Sequence, residues 1–307
     1  NQSIYLVGVD VNPLSPGFSL VDKSYVIPPF NKPELYFQKI HAIIQQEQID
    51  VVIPIFSQEI RLFSKRKNEF EQFTGIRLCI PEFEIMEITD DKYNFYLELK
   101  KRNLPTPETF VLSKRANSKF PCVIKKRRDS GSRSFTRIDN ATELSHFIQS
   151  SGISVADEES YVIQEFVEGQ EYTIDFCCDF NSRFLGAVIR ERLEVRDGKC
   201  TKGITIKNKT IRELLKKFLE QIGYIGPGNL QGILDKNNKF HIIEFNPRFA
   251  AGGLPLTIHV GFNIPYIVCK LIKNSEEIIP EFIDYPDGMV MLRYFTETFM
   301  MHPSKTS

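Results

Sequence analysis

Several features that mark other protein classes are scarce or missing in this 307-residue sequence. Its charge is not of one sign, because 39 Lys and Arg residues balance 39 Asp and Glu residues. That balance removes the usual electrostatic reason to expect nucleic-acid binding. No apolar run approaches the roughly 20 residues that a membrane-spanning helix needs. We therefore expect neither a nucleic acid nor a membrane as a partner.

Cysteine is also sparse, with six residues scattered without the spacing of a metal site. A chain of this length does not need disulfide staples, so we interpret them as reduced thiols of a cytoplasmic protein. Two nucleotide-binding signatures are absent. No Gly-x-x-x-x-Gly-Lys-Ser/Thr motif occurs, which excludes a Walker A loop. No Gly-x-Gly-x-x-Gly follows a strand, which weakens the hypothesis of a Rossmann dehydrogenase.

The N-terminal part alternates short apolar runs with amphipathic segments. Buried strands are predicted at three runs, which are 4–10, 50–54 and 77–80. Such alternation predicts a parallel sheet with packed helices, and therefore an α/β domain over about residues 1–88. A helix follows from about Asp91 to Asn103 and ends before Pro105. The pattern then becomes richer in antiparallel strands, so we place a second, α+β domain at 89–307.

The segment Glu244-Phe245-Asn246-Pro247-Arg248 carries the densest set of candidate ligands. Residues two apart on a strand share a face, so Glu244 and Asn246 point the same way, with Arg248 just beyond them. Carboxylate and amide oxygens suit Mg²⁺ shared with phosphates, and Arg grips phosphoryl oxygens. A surface strand end with a structural salt bridge is the open alternative. Gln231 favours the metal site, because its strand folds back towards Glu244.

Lys125 ends an apolar strand and opens a basic run. Most such runs are solvated faces, but here the strand holds Lys125. The run then enters a turn, Ser130-Gly131-Ser132, whose N–H groups suit phosphates. Further on, a strand from Gln164 runs into a bend at Gly169 and resumes at Glu171. The exposed backbone of such a hinge suits an adenine edge, although a plain strand–turn–strand explains it too.

In this order, these parts resemble the ATP-grasp superfamily, in the branch similar to the large subunit of carbamoyl-phosphate synthetase. The resemblance covers about residues 1–295. It rests on Asp91-Lys92 with Phe95, Pro105-x-Pro107, Phe120 to Lys125, Ser130-Gly131-Ser132, Gln164-Glu165-Phe166 with Gly169 and Glu171, Gly226 to Gln231, and Glu244 to Phe249.

The resemblance implies an ATP-grasp architecture, α/β and α+β, with an N-terminal Rossmann-like pre-ATP-grasp domain. The strand that begins here resembles the second strand of that domain, so we expect this sequence not to include the usual opening strand and first helix. Within the second domain, the resemblance implies a lid at about 107–168 and a metal-binding sheet at about 169–295.

The resemblance also implies a role for each motif position. Lys125 and Arg248 match catalytic residues that contact the nucleotide phosphates and steady the transferred phosphoryl group. The implied nucleotide-binding positions are Lys125, Ser130, Gly131, Ser132, Gln164, Glu165, Phe166, Val167 and Glu171. The implied metal ligands are Gln231, Glu244 and Asn246.

Among the nucleotide positions, Gln164 matches one near the adenine amino group, and Glu171 matches the ribose ligand. The backbones of Glu165 and Val167 match the adenine hinge. Residues 130–132 match the loop that closes over the phosphates.

Two further expectations concern the substrate. Arg190 and Arg192 resemble basic positions that meet phosphate or an acidic substrate, and surface charges on a hairpin are the alternative. The small residues from Ala250 to Gly253 are expected to leave room for a substrate beside Arg248.

The implied activity is that of an ATP-dependent carboxylate–amine or carboxylate–thiol ligase that works through an acyl phosphate. The implied cofactors are ATP and two Mg²⁺ ions, which Mn²⁺ can replace. The expected partners are small-molecule carboxylates and amines, and a homodimer is a family-level expectation. The neutral Gln231 and the glycine-poor loop at 126–133 keep a second hypothesis open, a non-catalytic ATP-binding sensor or partner subunit.

Overall fold

The computed structural model of the chain describes residues 4–128, 136–196, 198–273, 278–294 and 296–299. The chain forms two compact units. Unit 1 comprises Asn1–Pro54, Arg66–Leu78 and Tyr294–Ser307, and unit 2 comprises Ile55–Lys65 and Cys79–Arg293. The boundary expected at residue 88 stays a prediction, because contacts rather than one cut of the chain define the two units.

The described residues form the following helices and strands. The helices are α1 (Pro33–Glu47), α2 (Ser57–Lys65), α3 (Lys67–Thr74), α4 (Phe83–Thr89), α5 (Lys92–Lys101), α6 (Ala141–Ser150), α7 (Lys209–Ile222), α8 (Leu254–His259) and α9 (Ile264–Lys273). The strands are β1 (Val7–Asp10), β2 (Lys23–Val26), β3 (Thr109–Val111), β4 (Cys122–Lys126), β5 (Thr136–Ile138), β6 (Tyr161–Glu165), β7 (Gly169–Cys178), β8 (Phe184–Arg196), β9 (Lys199–Ile206), β10 (Gly226–Asp235), β11 (Phe240–Asn246) and β12 (Val290–Leu292). Among the described helices, none combines the length and the apolar character that crossing a membrane requires.

Unit 1 pairs a short parallel sheet with helices. Strands β1 and β2 run parallel, from the pair Val7 and Lys23 onwards. Helix α1 begins with Pro33, which suits a first helical position because no helical N–H is needed there. Its buried side chains recur at helical spacing, at Tyr36, Phe37, Ile40, Ile43 and Ile44. The α/β character predicted for this part of the chain is therefore present.

Two strands predicted in the N-terminal part are not formed. The segments 50–54 and 77–80 carry no strand assignment. An apolar run reports burial, whereas a strand also needs a hydrogen-bonded ladder with a neighbour. The side chains from Ile76 to Ile80 are mostly buried, which explains why the pattern misled the prediction.

Unit 2 contains a four-stranded antiparallel sheet in the order β3-β6-β4-β5. One face of this sheet packs Cys122, Ile124 and Ile163 into a small apolar cluster with Leu144 of α6. The opposite face carries the alternate residues of the same strands. The register sets Gln164 beside both Thr109 and Val123, so this second face is partly polar.

Unit 2 also contains a six-stranded sheet in the order β11-β10-β7-β8-β9-β12. Its apolar face forms the main core, to which Ile174, Phe176, Leu230 and Phe245 contribute. Helices α5 and α7 cover this face, since the core cluster includes residues from both. The opposite face carries the alternating polar residues and holds the candidate site.

Apolar residues that recur at every turn predict a helix from Thr210 to Ile222, with Thr210 and Glu213 as its capping box. Helix α7 confirms this helix. Its predicted apolar stripe is buried at Ile211, Leu215, Phe218, Leu219 and Ile222. Its last residue is followed by a glycine with φ of 70°, a left-handed conformation that glycine adopts without strain. The first residue differs slightly from the prediction, because the N-cap lies at residue 208 rather than 210.

Candidate functional site

The polar face of the six-stranded sheet gathers the three predicted metal ligands. In the ladder between β10 and β11, Gln231 lies directly opposite Glu244, and Asn229 lies opposite Asn246. Directly opposed residues share a face, and so do residues two apart on one strand. Gln231, Glu244 and Asn246 therefore project together from neighbouring strands, as the turn between the strands predicted.

Arg248 is fixed beside one of these ligands. Its Nη2 donates a hydrogen bond to Asn246 Oδ1 at 3.0 Å, and its Nε donates to Ser57 Oγ at 3.2 Å. The backbone carbonyl of Arg248 also accepts a bond from the Asn229 side chain. These contacts hold the guanidinium against the end of β11, where the sequence predicted it.

Glu244 faces an excess of positive charge. Lys92 Nζ lies 3.7 Å from Glu244 Oε1. Burial works to raise the pKa of Glu244, but Lys92, Lys125, Arg248 and Arg192 together hold that pKa below its usual value. Four basic side chains therefore act on Glu244, of which Arg192 also pairs with Glu171 and Arg248 is also influenced by Asp90. Such a cluster of cations suits a polyanionic ligand.

Lys125 is buried on β4, with 8% of its surface exposed. Its Nζ donates a hydrogen bond to Gln164 Oε1 at 3.0 Å. Burial lowers the pKa of Lys125 to about 8, and the neighbouring Glu244 only partly offsets this effect. The alternative of a solvated basic face is therefore wrong for Lys125, although it fits the exposed Lys126.

The two lysines near Glu244 are linked through Asp91, the N-cap of α5. Its carboxylate accepts bonds from first-turn N–H groups, including that of Asn94, and pairs with Arg127 and Arg128. The Lys92 N–H donates to the Arg127 carbonyl at 3.0 Å. Burial works to raise the pKa of Asp91, but the Asn94 N–H and Arg127 outweigh it and lower that pKa. Asp91 therefore ties the start of α5 to the end of the strand that carries Lys125.

Asp91 and Lys92 were part of the resemblance and of a predicted helix start, but no role at the site was predicted for either side chain. Their signal was present, since an acid followed by a base opens a helix in the order that favours an N-cap. Lys92 and Glu244 lie 152 positions apart in the sequence, so no local pattern predicts that they meet.

The predicted adenine hinge lies between β6 and β7. The N–H groups of Glu165 and Phe166 are already used, because they donate to the carbonyls of Glu108 and Pro121. The Val167 N–H makes no hydrogen bond to any residue in the described ranges. The hinge therefore offers Val167 rather than Glu165 as a backbone donor.

Two other predicted nucleotide positions have side-chain partners. The Arg137 guanidinium lies over the Phe166 ring, with its central carbon 4.5 Å from the ring centroid. Glu171, the expected ribose ligand, forms an ion pair with Arg192. The loop positions Ser130, Gly131 and Ser132 lie outside the described residues.

Arg190 fits neither of the two interpretations made from the sequence, a position that meets phosphate or an acidic substrate and a hairpin surface charge. It is 1% exposed and forms a two-pronged ion pair with Asp175, at 2.7 and 3.0 Å. Thr257 donates a further hydrogen bond to the same carboxylate. Arg190 is therefore neither a surface charge nor open to a ligand, because its charge is matched inside the protein.

The small residues after Arg248 pack closely instead of leaving room. A Cβ added to Gly253 would lie 1.7 Å from an Arg190 guanidinium nitrogen, and one added to Gly252 would lie 2.7 Å from the Cys200 backbone nitrogen. The expectation of an open space at these two glycines is wrong. They allow the turn to approach Arg190 and β9.

The donors on the polar face fit a hard divalent cation that also has phosphate ligands. Within the described residues, no three His, Cys, Asp or Glu side chains gather as a metal site of their own. Glu244 supplies one carboxylate, while Gln231 and Asn246 supply neutral amide oxygens. Mg²⁺ typically takes few protein ligands and completes its shell with waters and substrate phosphates. The donor set matches that use.

Comparison with known proteins identifies the family and the fold. Residues 89–252 match the model of the ATP-grasp domain, and residues 1–78 match that of the PylC-like N-terminal domain. The biotin carboxylase domain of a 2-oxoglutarate carboxylase from Hydrogenobacter thermophilus, solved with MgADP, ADP and bicarbonate, superposes with a TM-score of 0.71 at 16% identity. That match covers 92% of this chain and 67% of the other. N5-carboxyaminoimidazole ribonucleotide synthetase from Thermotoga maritima superposes with a TM-score of 0.60 at 20% identity, covering 88% and 69%.

Among curated proteins, the chain is similar to carbamoyl phosphate synthase large chains. The one from Helicobacter pylori strain J99 is 24% identical over 70% of this chain and 21% of its own length. The one from Pseudothermotoga lettingae is 21% identical over 94% of this chain and 27% of its own length. The chain thus spans about a quarter of the length of these relatives. The fold and the expected similarity to carbamoyl phosphate synthase large chains are confirmed, and the chain belongs to the ATP-grasp family.

Proposed function

We propose that this chain is an ATP-dependent ligase that activates a small-molecule carboxylate as an acyl phosphate and passes it to an amine or a thiol. The observation that carries the proposal is the charge imbalance around Glu244. Lys92, Lys125, Arg192 and Arg248 all act on this single carboxylate. A triphosphate would bring its own negative charge to this cluster of cations.

ATP would lie between the two sheets of unit 2. Lys125 reaches the phosphates from β4, and Lys92 reaches them from the first turn of α5. The Val167 N–H contacts the adenine edge, and Glu171 binds the ribose hydroxyls while it keeps Arg192 close. Lys125 and Glu171 are held by strands and Lys92 by a helix end, which limits the entropy lost on binding.

Gln231, Glu244 and Asn246 would hold Mg²⁺ together with the phosphates, and we propose two ions that Mn²⁺ can replace. When bound, Mg²⁺ supplies charge neutralisation at the phosphate oxygens. Arg248 shares the Asn246 oxygen, so it lies where the transferred phosphoryl group would be.

In the first step, a carboxylate oxygen of the substrate attacks the γ-phosphorus, and the bond from that phosphorus to ADP breaks. In the second step, an amine or thiol attacks the acyl carbon, phosphate leaves, and the nucleophile's proton passes to solvent. Phosphoryl transfer asks the protein for positioning and charge stabilisation. Lys92, Lys125 and Arg248 supply both without a dedicated general base.

The test compares two adjacent lysines on β4. ADP release would be measured with Mg-ATP, a panel of carboxylates that includes bicarbonate and amino acids, and ammonia or amino acids as acceptors. Lys125→Met should lower turnover by about 10²–10³. Lys126→Met, which changes an exposed side chain, should leave turnover within about twofold. Equal turnover in the two variants would refute the assignment of Lys125.

One observation favours the second candidate, an ATP-binding module without catalysis. Gln231 puts a neutral amide opposite Glu244, so the site has a single carboxylate for the ions. Such a module would bind Mg-ATP with the same dependence on Lys125 but release no ADP with any acid in the panel.

A further inference from the structure

Three polar side chains share one buried face of the four-stranded sheet. Thr109 of β3 lies directly opposite Gln164 of β6, which lies opposite Val123 of β4. Lys125 is two residues beyond Val123, so it projects from the same face. Thr109, Gln164 and Lys125 are 1%, 5% and 8% exposed. Buried polar groups of this kind need hydrogen-bond partners, and these three find them in one another.

Hydrogen bonds link Lys125, Gln164, Thr109 and the Pro107 carbonyl in series, each group donating to the next, and we call this series the relay. The Pro107 carbonyl can only accept, so the Thr109 hydroxyl donates to it at 3.0 Å. The Thr109 oxygen then accepts from Gln164 Nε2 at 3.0 Å. With its amide nitrogen committed, Gln164 presents its Oε1 to the Lys125 ammonium, also at 3.0 Å. The Pro107 carbonyl thus fixes which end of the Gln164 amide faces the lysine.

Gln164 is neutral, so it orients the Lys125 ammonium through a dipole and adds no negative charge of its own beside it. The charged groups that act on Lys125 come from other elements, namely Glu244 on β11, Glu171 on β7 and Lys92 on α5. A glutamate in place of Gln164 would pair with the ammonium and weaken its attraction for phosphate.

We propose that Thr109 and Gln164 are positioning residues that hold the Lys125 ammonium for the nucleotide phosphates, an inference that rests on the proposed function. It gives Gln164 a role besides the expected position near the adenine amino group. Both amide atoms of Gln164 are already engaged inside the sheet.

The test uses calorimetry to measure how tightly the protein binds a non-hydrolysable ATP analogue in the presence of Mg²⁺. Thr109→Val keeps the side-chain shape and removes the hydroxyl, so it should weaken binding about fivefold. Thr109→Ser restores the hydroxyl and should bind within about twofold of the native chain. Thr136→Val removes a hydroxyl from β5 of the same sheet, outside the relay, and should bind like the native chain.

A pH series supplies a readout that a merely structural role would not change. Native affinity should fall above a pH of about 8, where the buried ammonium of the free protein loses its proton. Gln164→Glu should move this fall to higher pH, because a carboxylate stabilises the ammonium. Gln164→Leu should weaken binding at neutral pH by about tenfold, since it removes the acceptor altogether.

The outcomes separate the relay from the function on which it rests. If Lys125→Met weakens binding while Thr109→Val and Gln164→Leu bind like the native chain, the relay is wrong and the proposed function stands. If Lys125→Met itself binds like the native chain, the assignment of Lys125 is wrong and the relay fails with it. An unchanged pH profile in Gln164→Glu also overturns the relay. Melting temperatures of Thr109→Val and Thr136→Val, compared directly, exclude unfolding as the cause of a loss.

Discussion

Two acidic side chains on the same face of the six-stranded sheet, Asp175 and Glu244, meet positive charge in different ways. Asp175 is 1% exposed, and one guanidinium and one hydroxyl occupy its oxygens at hydrogen-bond distance. Glu244 keeps about a fifth of its surface, and its ion pair with Lys92 spans 3.7 Å. The first arrangement is balanced and closed. In the second, four basic side chains act on one partly exposed carboxylate, and only Arg192 among them also pairs with Glu171 in the described contacts. Buried charge alone is therefore no reason to propose a binding site at Asp175, whereas accessible cations around Glu244 are the reason to propose one there.

The sharpest test of this comparison is the stability of the two acid variants. Asp175→Asn leaves the Arg190 guanidinium inside the protein without its counter-charge, which should lower the free energy of unfolding by about 3–5 kcal/mol. Glu244→Gln removes a partly exposed partner and should cost less than about 1 kcal/mol. Urea unfolding of both variants measures the difference. Equal losses would mean that the two acids do not differ in kind.

Glu244→Gln, the variant with the smaller loss of stability, should show a large loss of turnover. Glu244→Gln should lower Mg-ATP turnover by about 10²–10³, because the phosphates and their ions lose the only carboxylate of the proposed ligand set. Glu213→Gln changes an exposed acid on α7 and serves as the control, with turnover unchanged. Wild-type turnover in Glu244→Gln would contradict the proposed site.

The buried ion pair of Asp175 and Arg190 can also be disturbed sterically. Gly253→Ala adds a Cβ where the Arg190 guanidinium lies, and overpacking of this kind costs about 1–3 kcal/mol. Gly17→Ala adds a Cβ whose nearest neighbour lies at 3.6 Å, so the free energy of unfolding should change by less than about 0.5 kcal/mol. The loss in Gly253→Ala should not add to that in Asp175→Asn, because both act on Arg190. Strict additivity would show that the turn does not press on this ion pair.

The parts that the sequence predicted are those with a local signal. The stripe of α7 repeats every turn, and the short connection between β10 and β11 sets Gln231 opposite Glu244. The strands expected at 50–54 and 77–80 failed because apolar runs report burial but not ladder partners. Order of motifs along the chain was enough to identify the family, since it needs no distances.

The charge balance of the site required the structure. The sequence left Arg190 as either a position that meets phosphate or an acidic substrate or a hairpin surface charge. Only the register that sets β7 beside β8 brings Asp175 within reach of it. Gln164 looked like an adenine ligand, and only its cross-strand neighbours show that both ends of its amide are engaged. In each case, the deciding partner lies on another strand, at a distance along the chain that no periodicity encodes.

The smallest expected effect concerns the cationic site around Glu244. It is a pH dependence of the free energy of unfolding, caused by the loss of the proton from Lys125. Its pKa in the folded chain is about 8, while an unfolded lysine keeps a value near 10.5. Between these values the unfolded chain binds more protons than the folded one, so the free energy of unfolding should rise with pH. The gain from Lys125 should be about 1 kcal/mol between pH 8 and pH 9, and Lys125→Met should lack it whereas Lys126→Met should keep it. Urea unfolding of both variants at the two pH values measures this difference. A gain that survives in Lys125→Met would show that the cationic site does not strain its buried lysine, and the contrast with the balanced pair at Asp175 would then lose its electrostatic basis.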